Sequence, residues 1–364
     1  MKIVTIVGAR PQFVKAAVVS RALRKTRGLR EVLIHTGQHY DRNMSGRFFD
    51  ELKIPLPDYN LGVGSGNHGA QTGRMLGLIE EVLLKEKPDW MLVYGDTNST
   101  LAGTLAAAKL HIPIAHVEAG LRSFNRQMPE EINRVMTDHV SEILFAPTEV
   151  AVVNLANEGI SGKSVVLVGD VMCDAAKFYS ARAAETSSIL KQLGRRKKEY
   201  ALATIHRAEN TDALPRLKII LAGLGRAARE IPIVLPLHPR TRHAVQQAKL
   251  TIPAGLQIIE PVGYLDMIEL ERNASVIATD SGGVQEEAPS LGKPVLVMRD
   301  NTERPEGLSA GTSELVGTDP ARIVAAATRL LSDPAEYARR SQLRNPYGDG
   351  TAAAKSARVM EAAL

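Results

Sequence analysis

The 364-residue sequence predicts an α/β protein made of two doubly wound, parallel-sheet domains. Short β-branched runs alternate with longer helical patterns along the whole chain, and they fall into two series separated by a stretch without a clear strand. Alternation of this kind covers both faces of a parallel sheet with helices. A hydrophobic content of 44% lets a chain of this length build a core in each domain.

The first series of strand-like runs falls at residues 3–7, 31–36, 90–94, 114–117, 143–146 and 165–168. The first of these ends in Gly8-Ala9-Arg10-Pro11, which lacks the Gly-x-Gly-x-x-Gly dinucleotide fingerprint and so argues against a nicotinamide cofactor. Arg10 stands at the strand end, Pro11 suits a helix start, and Lys15 follows on the next turn. Two cations there suit a phosphate or pyrophosphate, although a surface Arg and a solvated helix Lys read equally from Lys15 alone.

Gly95-Asp96-Thr97 follows the run 90–94, Glu118-Ala119-Gly120 follows 114–117, and Pro129-Glu130-Glu131 opens a helix. Asp96, Glu118 and Glu130 are thereby delivered toward one edge of one sheet. Asp96 also reads as an N-cap and Glu130 or Glu131 as helix-start acids. Glu118, flanked by His116 and Gly120, sits at a buried strand end where an idle charge is costly. Crowded carboxylates raise one another's pKa and so supply proton donors and acceptors near neutral pH.

A domain boundary is expected near Val168-Gly169, followed by a helix over 175–193 ending at Gly194. The second series runs through 200–204, 233–236, 256–259, 275–278 and 294–298. His206 and His238 land at strand ends, where an imidazole can donate to phosphate oxygens, and Arg304 lies in a further post-strand loop within reach of a sugar or phosphate. The run Asp280-Ser281-Gly282-Gly283-Val284-Gln285-Glu286-Glu287 opens a helix after a strand. Ser281 there reads either as the N-cap of a plain tight turn or, with Gly282 and Gly283, as an anion cradle at a helix N-terminus. Glu287, about one turn inside, suits the vicinal hydroxyls of a ribose, so a nucleoside diphosphate fits the whole run.

The net charge of +5 is scattered and aromatic residues make up only 4%, which disfavours a nucleic-acid partner and favours small anions. Cys173 is the only cysteine, no apolar run approaches a membrane span, and Met1–Val7 is too short for a signal peptide; a cytoplasmic setting is expected. No spacing of carboxylates and histidines suggests a metal site.

Gly8-Ala9-Arg10-Pro11, Gly95-Asp96-Thr97, His116 to Arg122, Pro129 to Arg134, His206 to Asn210, Thr279 to Pro294 and Asn345 to Gly350, in this order, resemble the non-hydrolysing UDP-N-acetylglucosamine 2-epimerase family over essentially the whole chain. The resemblance implies a GT-B architecture: Rossmann-like domains over 1–168 and 169–346 facing across a cleft, and a last segment, 347–364, crossing back to the first. It also implies a homodimer without cofactor that reversibly inverts C2 of a UDP-N-acetylhexosamine. The C2 hydrogen of such a sugar is not next to a carbonyl, so eliminating UDP to a glycal and adding it back is the economical route. On this resemblance Asp96, Glu118 and Glu130 match the catalytic carboxylates, with Lys15 and His206 counted beside them. Arg10, His206 and the N–H groups of Ser281, Gly282 and Gly283 would hold the departing diphosphate, and Glu287 matches the ribose ligand.

The sequence departs from the common bacterial pattern at Thr36-Gly37-Gln38-His39-Tyr40-Asp41, where the family carries an arrangement tied to an allosteric substrate site. That segment and Asn67 to Arg74 look more like epimerases of UDP-2,3-diacetamido-2,3-dideoxyglucuronate. Pro289 to Pro294 and Glu303 to Glu306 look like the N-acetylglucosamine enzymes. UDP-N-acetylglucosamine is the first expectation, the diacetamido uronate the second, and a GT-B glycosyltransferase the alternative of another class.

Overall fold

A computed structural model describes residues 1–38 and 51–363, so His39, Tyr40 and Asp41 lie outside the described residues. The chain divides into two units, 1–175 with 347–364, and 176–346.

The N-terminal unit is built on an all-parallel sheet of β1 (Lys2–Val7), β2 (Arg30–His35), β3 (Tyr59–Asn60), β4 (Trp90–Tyr94), β5 (Ile114–Val117), β6 (Ile143–Ala146) and β7 (Val165–Leu167). Their order across the sheet is β3-β2-β1-β4-β5-β6-β7. Val4 and Ile6 of β1, Val32 and Ile34 of β2, and Met91 and Val93 of β4 face the same core as Met75 and Ile79 of the helix His68–Glu86 and Ala102 and Ala106 of the helix Asn98–Lys109. Small residues let that second helix lie close: a Cβ at Gly103 would sit 3.0 Å from Ile6. The closing helix, Ala352–Ala362, packs on the helix Arg10–Lys25. Its first amides, of Ala352 and Ala353, donate to the Asp174 carboxylate at 3.1 and 2.8 Å, so a residue distant in sequence does the work of an N-cap.

The C-terminal unit carries a second parallel sheet: β8 (Ala201–Thr204), β9 (Ile233–Pro236), β10 (Leu256–Ile259), β11 (Ile277–Thr279), β12 (Val295–Val297) and β13 (Ser313–Leu315), ordered β10-β9-β8-β11-β12-β13. Alternate residues serve opposite cores. Ala203, Ile233, Leu235 and Leu296 pack with Leu217, Leu221, Leu224 and Ile323 of the helices Leu214–Ala227 and Pro320–Ser332, while Leu202, Val234, Val295 and Val297 pack with Leu270, Val284 and Ala288 on the other face. A strand buried on both sides reads as a continuous apolar run, which is how these segments read in the sequence.

Two details differ from the expectation. The helix expected over 175–193 starts at Val171 and breaks after Thr186; Ser187 turns its hydroxyl to Asp266 at 2.5 Å, a side-chain bond that competes with continued helix. The edge strand β13 is too short and polar to stand out from its flanking turns.

Both sheets reverse their winding at one point, between β1 and β4 in the first and between β8 and β11 in the second. Loops at the carboxyl ends of such strands form the binding crevice of doubly wound sheets. The candidate residues cluster there: Gly95-Asp96 after β4 and Glu118 after β5 in one unit, His206 after β8 and Asp280-Ser281 after β11 in the other.

Candidate active site

In the N-terminal unit, the first turn is locked to the fourth strand by a residue the sequence did not single out. Gln12 Oε1 accepts the N–H groups of Gly8 and Ala9 at 2.8 and 3.1 Å, while its Nε2 donates to the Tyr94 carbonyl at 3.0 Å and to Thr100 Oγ1 at 2.9 Å. Gly8 itself has no room for a side chain, since a Cβ there would lie 2.0 Å from Ser99 Oγ and 2.2 Å from Thr36 Oγ1. Arg10 opens the following helix; its side chain lies outside the described residues. Lys15, one turn later and buried, forms an ion pair with Glu118.

Glu118 has φ +71°, in the left-handed region that a non-glycine residue rarely adopts. The corner turns its carboxylate back toward the end of β4: a Cβ on Gly95 would sit 2.9 Å from Glu118 Oε2. Asp96, the next residue, is paired with Arg134 Nη2 at 2.5 Å. The loops after two neighbouring strands thus each carry a carboxylate paired with a cation. Loss of one partner of a buried pair such as Lys15–Glu118 typically costs about 3–5 kcal/mol.

The helix Pro129–Val140 supplies most of the support. Asn133 Nδ2 donates to the Asp96 carbonyl at 2.9 Å and to Asn98 Oδ1 at 3.2 Å. Asn98 reaches on to His68 Nδ1 at 3.0 Å and Gln71 Oε1 at 2.9 Å. Of the two acids at the helix start, Glu131 is buried and organises the preceding loop. It accepts from Ser123 N and Oγ at 2.9 Å each, from Phe124 N at 2.8 Å and from Arg134 Nη1 at 3.0 Å. Glu130 is exposed. Arg134 and Asn133 lie in the motif Pro129 to Arg134 without an assigned role, and an i, i+3 spacing from Glu131 to Arg134 on one helix is the signal the sequence offers.

In the C-terminal unit, fully buried Asp280 fixes the loop after β8. It accepts the N–H of His206 and of Arg207 and the side-chain amide of Asn210, each at 3.0 Å. The His206 and His238 rings lie 5.4 Å apart, and His238 Nδ1 accepts the Arg240 N–H at 3.2 Å, leaving Nε2 as the ring's donor. Ser281 caps the helix Gly282–Ser290, accepting from Val284 N at 3.5 Å. The first intrahelical bond runs from Gln285 N to Ser281 O, so the Gly282 and Gly283 amides precede the ladder and belong to the helix's positive end. Glu287, buried one turn in, accepts from the Tyr264 hydroxyl at 2.8 Å. Arg304, buried, pairs with Glu286. The two readings of Ser281, as cap and as part of a cradle, are compatible.

An ion network borders this loop. Arg207 pairs with Glu303 at 2.6 Å, and Arg299 bridges Glu303 at 2.6 Å and Glu209 at 2.8 Å. Burial pushes the Glu303 carboxyl up, but Arg207, Arg304 and Arg299 outweigh it and hold it at about 2, against an ordinary 4.5. The arrangement concentrates arginines beside the helix start at Ser281. Among the described residues no cluster of His, Cys, Asp and Glu has the geometry to hold a metal ion, and no helix is long and apolar enough to cross a membrane.

The family model for UDP-N-acetylglucosamine 2-epimerase matches residues 21–361. The chain is 54% identical over 334 residues to a UDP-2,3-diacetamido-2,3-dideoxy-D-glucuronate 2-epimerase of Pseudomonas aeruginosa, covering 91% of this chain and 92% of the relative. It is 46% identical over 374 residues to a UDP-N-acetylglucosamine 2-epimerase of Methanocaldococcus jannaschii, 99% of each chain. The solved structure of the Methanocaldococcus jannaschii UDP-GlcNAc 2-epimerase in complex with UDP-GlcNAc and UDP superposes with a TM-score of 0.90 at 45% identity over 100% of both chains. The expected class of two Rossmann-like GT-B domains is borne out.

The Glu303 network has a pH signature. A depressed folded-state value stabilises above the unfolded value of 4.5 and is lost as pH falls from there toward about 2. Denaturant melts of the wild type and Glu303→Gln should differ by on the order of 2 to 3 kcal/mol above pH 5 and converge only as the pH approaches 2. A gap that does not change across that window would show that the carboxylate charge contributes nothing.

Proposed function

Because the chain belongs to the UDP-N-acetylglucosamine 2-epimerase family, we propose that it reversibly inverts C2 of UDP-N-acetylglucosamine to give UDP-N-acetylmannosamine, without a cofactor. UDP leaves C1 as the C2 proton is removed, giving a glycal, and UDP returns to C1 as C2 is protonated on the opposite face. The observation that supports this reading is that Asp96 and Glu118 stand at neighbouring strand ends, each backed by a cation, Arg134 and Lys15. Two carboxylates can serve two faces of a sugar, one taking a proton and the other giving one. Glu130, exposed at a helix start, is the third expected carboxylate. The Gly282 and Gly283 amides with His206, His238 and Arg304 are assigned to the diphosphate and sugar, and Glu287, steadied by Tyr264, to the ribose.

Among the described residues of the N-terminal unit, the buried cations Lys15, Arg122 and Arg134 are each matched by carboxylates, which suits a neutral sugar; a uronate would bring one further negative charge. The second reading, a UDP-2,3-diacetamido-2,3-dideoxyglucuronate 2-epimerase, rests on the 54% identity to such an enzyme and on the segment Asn67 to Arg74. A GT-B glycosyltransferase needs one base and room for an acceptor, which the paired carboxylates do not call for.

Incubating the protein with each UDP-sugar in heavy water and following it by NMR separates these readings. The expected outcome is an intact C2 epimer carrying deuterium at C2, formed faster from UDP-N-acetylglucosamine. Faster turnover of the uronate selects the second reading, and transfer only in the presence of an acceptor would sink both. Asp96→Asn and Glu118→Gln should each lower exchange at least about a hundredfold while UDP affinity stays within a few-fold, since their charge is assigned to proton transfer. A matching loss of UDP affinity would contradict the assignment.

The protein is also assigned a homodimeric state. The helix Pro129–Val140 leaves Ile132, Met136 and Val140 exposed at i, i+4 and i+8, an apolar stripe suited to a second copy. Sedimentation should give a dimer that Met136→Glu weakens; a wild-type monomer would overturn this.

A further inference from the structure

His116 is the centre of a charged network that lies behind the carboxylates. It occupies β5, has no exposed surface, and is in contact on both ring nitrogens. Nδ1 lies 2.7 Å from Asp138 Oδ1 and Nε2 lies 2.8 Å from the Gly95 carbonyl oxygen. A carbonyl oxygen can only accept. Asp138 is also an acceptor here: its other oxygen takes the Gly120 N–H at 3.1 Å and Arg122 Nη1 at 2.7 Å. Burial pushes the Asp138 carboxyl up, but the bonds from His116 and Arg122 outweigh that and keep it below the usual carboxylate range. Each ring nitrogen thus faces an acceptor, so the geometry calls for donation from both.

The network's position is more informative than its charge. Gly95 immediately precedes Asp96, so the His116 bond fixes the peptide from which that carboxylate departs. Glu118 lies between two residues, His116 and Gly120, that are both anchored on Asp138, and its own backbone is in the left-handed conformation. A corner of that kind is strained and persists only when its surroundings determine it. Arg122 extends the chain to the helix Glu149–Asn157 region, donating from Nε and Nη2 to Glu158 at 2.7 Å each. One buried imidazole ring therefore links the end of β4, the end of β5 and the helix Pro129–Val140.

Building on the proposed function, we propose that His116 is a positioning residue for the epimerisation: donating from both nitrogens, to Gly95 and Asp138, it sets Asp96 and Glu118 at the separation the proton transfers require. It touches neither substrate nor reacting atoms. A side chain of similar polarity with donors on one terminus, as in His116→Gln, cannot span both acceptors, and the two loops lose their common anchor.

The test compares wild type and His116→Gln for kcat, KM, UDP affinity and melting temperature, with a long-range proton–nitrogen NMR spectrum of the histidine-labelled wild type. A misplacement near 1 Å at reacting groups costs about a hundredfold in rate. The expected result is a fall in kcat of about that size with KM and UDP affinity within about threefold, and two slowly exchanging ring N–H protons assigned to His116 in the wild type. A variant that keeps kcat within about threefold overturns the inference. If the variant does not fold, the wild-type spectrum decides: two ring protons support the inference, and one overturns it. A wild type that turns over neither UDP-sugar removes the proposed function and this role with it, an outcome distinct from an active enzyme indifferent to His116.

Discussion

The N-terminal unit depends on setting two carboxylates, Asp96 and Glu118, at the ends of the neighbouring strands β4 and β5, with Glu118 largely out of water. A buried carboxylate without a partner is costly. The chain answers with a cation for each, Arg134 and Lys15, brought from two different helices. Those helices then need their own registration. Gln12 ties the first to β1 and β4, and Asn133, Glu131 and Asp138 tie the second to the loops after β4 and β5. Gly95 is small because Glu118 occupies the space a side chain would take.

The C-terminal unit solves a different problem, that of receiving an anion without filling the site with permanent charge. Its neutral part is the Ser281-Gly282-Gly283 start of a helix, whose amides and dipole favour a diphosphate. The charged part, Arg207, Arg299 and Arg304, is paired with Glu303, Glu209 and Glu286. Asp280 plays the role that Asp138 plays in the other unit. Each is a fully desolvated carboxylate with several donors that pins the loop carrying functional residues. In the proposed reaction this seat would hold UDP through bond breaking and return, and binding the departed and bonded states equally would leave the barrier to C–O cleavage unaltered.

Much of this architecture was legible in the sequence because the apolar strands and the glycine turns after them are local signals. Both sheets, the strand ends bearing Asp96, Glu118, His206 and His238, and the helix start at Ser281 follow from patterns a few residues long. What was not legible depends on tertiary distance. Nothing adjacent to Gln12 marks it as the bridge between β1 and β4, and nothing near Asp138 or Asp280 says that three or more donors converge on it. The helix start Glu130-Glu131 shows the limit clearly. Two identical neighbouring acids read alike in sequence, yet one is buried among four donors and the other faces outward. The edge strand β13 and the break at Ser187 escaped for the same reason, since their partners lie in other elements.

The account joins a leaving group that departs and returns to a pair of carboxylates that move the C2 proton. Positional isotope exchange tests that joint claim most directly. UDP-N-acetylglucosamine labelled with oxygen-18 in the bridge between C1 and the β-phosphorus is incubated with the enzyme, and the label is located by phosphorus NMR as the epimer forms. The account predicts that label appears in the non-bridging β-oxygens on the timescale of epimerisation, because the free β-phosphate can rotate before it returns. Epimer that accumulates with the label still wholly in the bridge would contradict it.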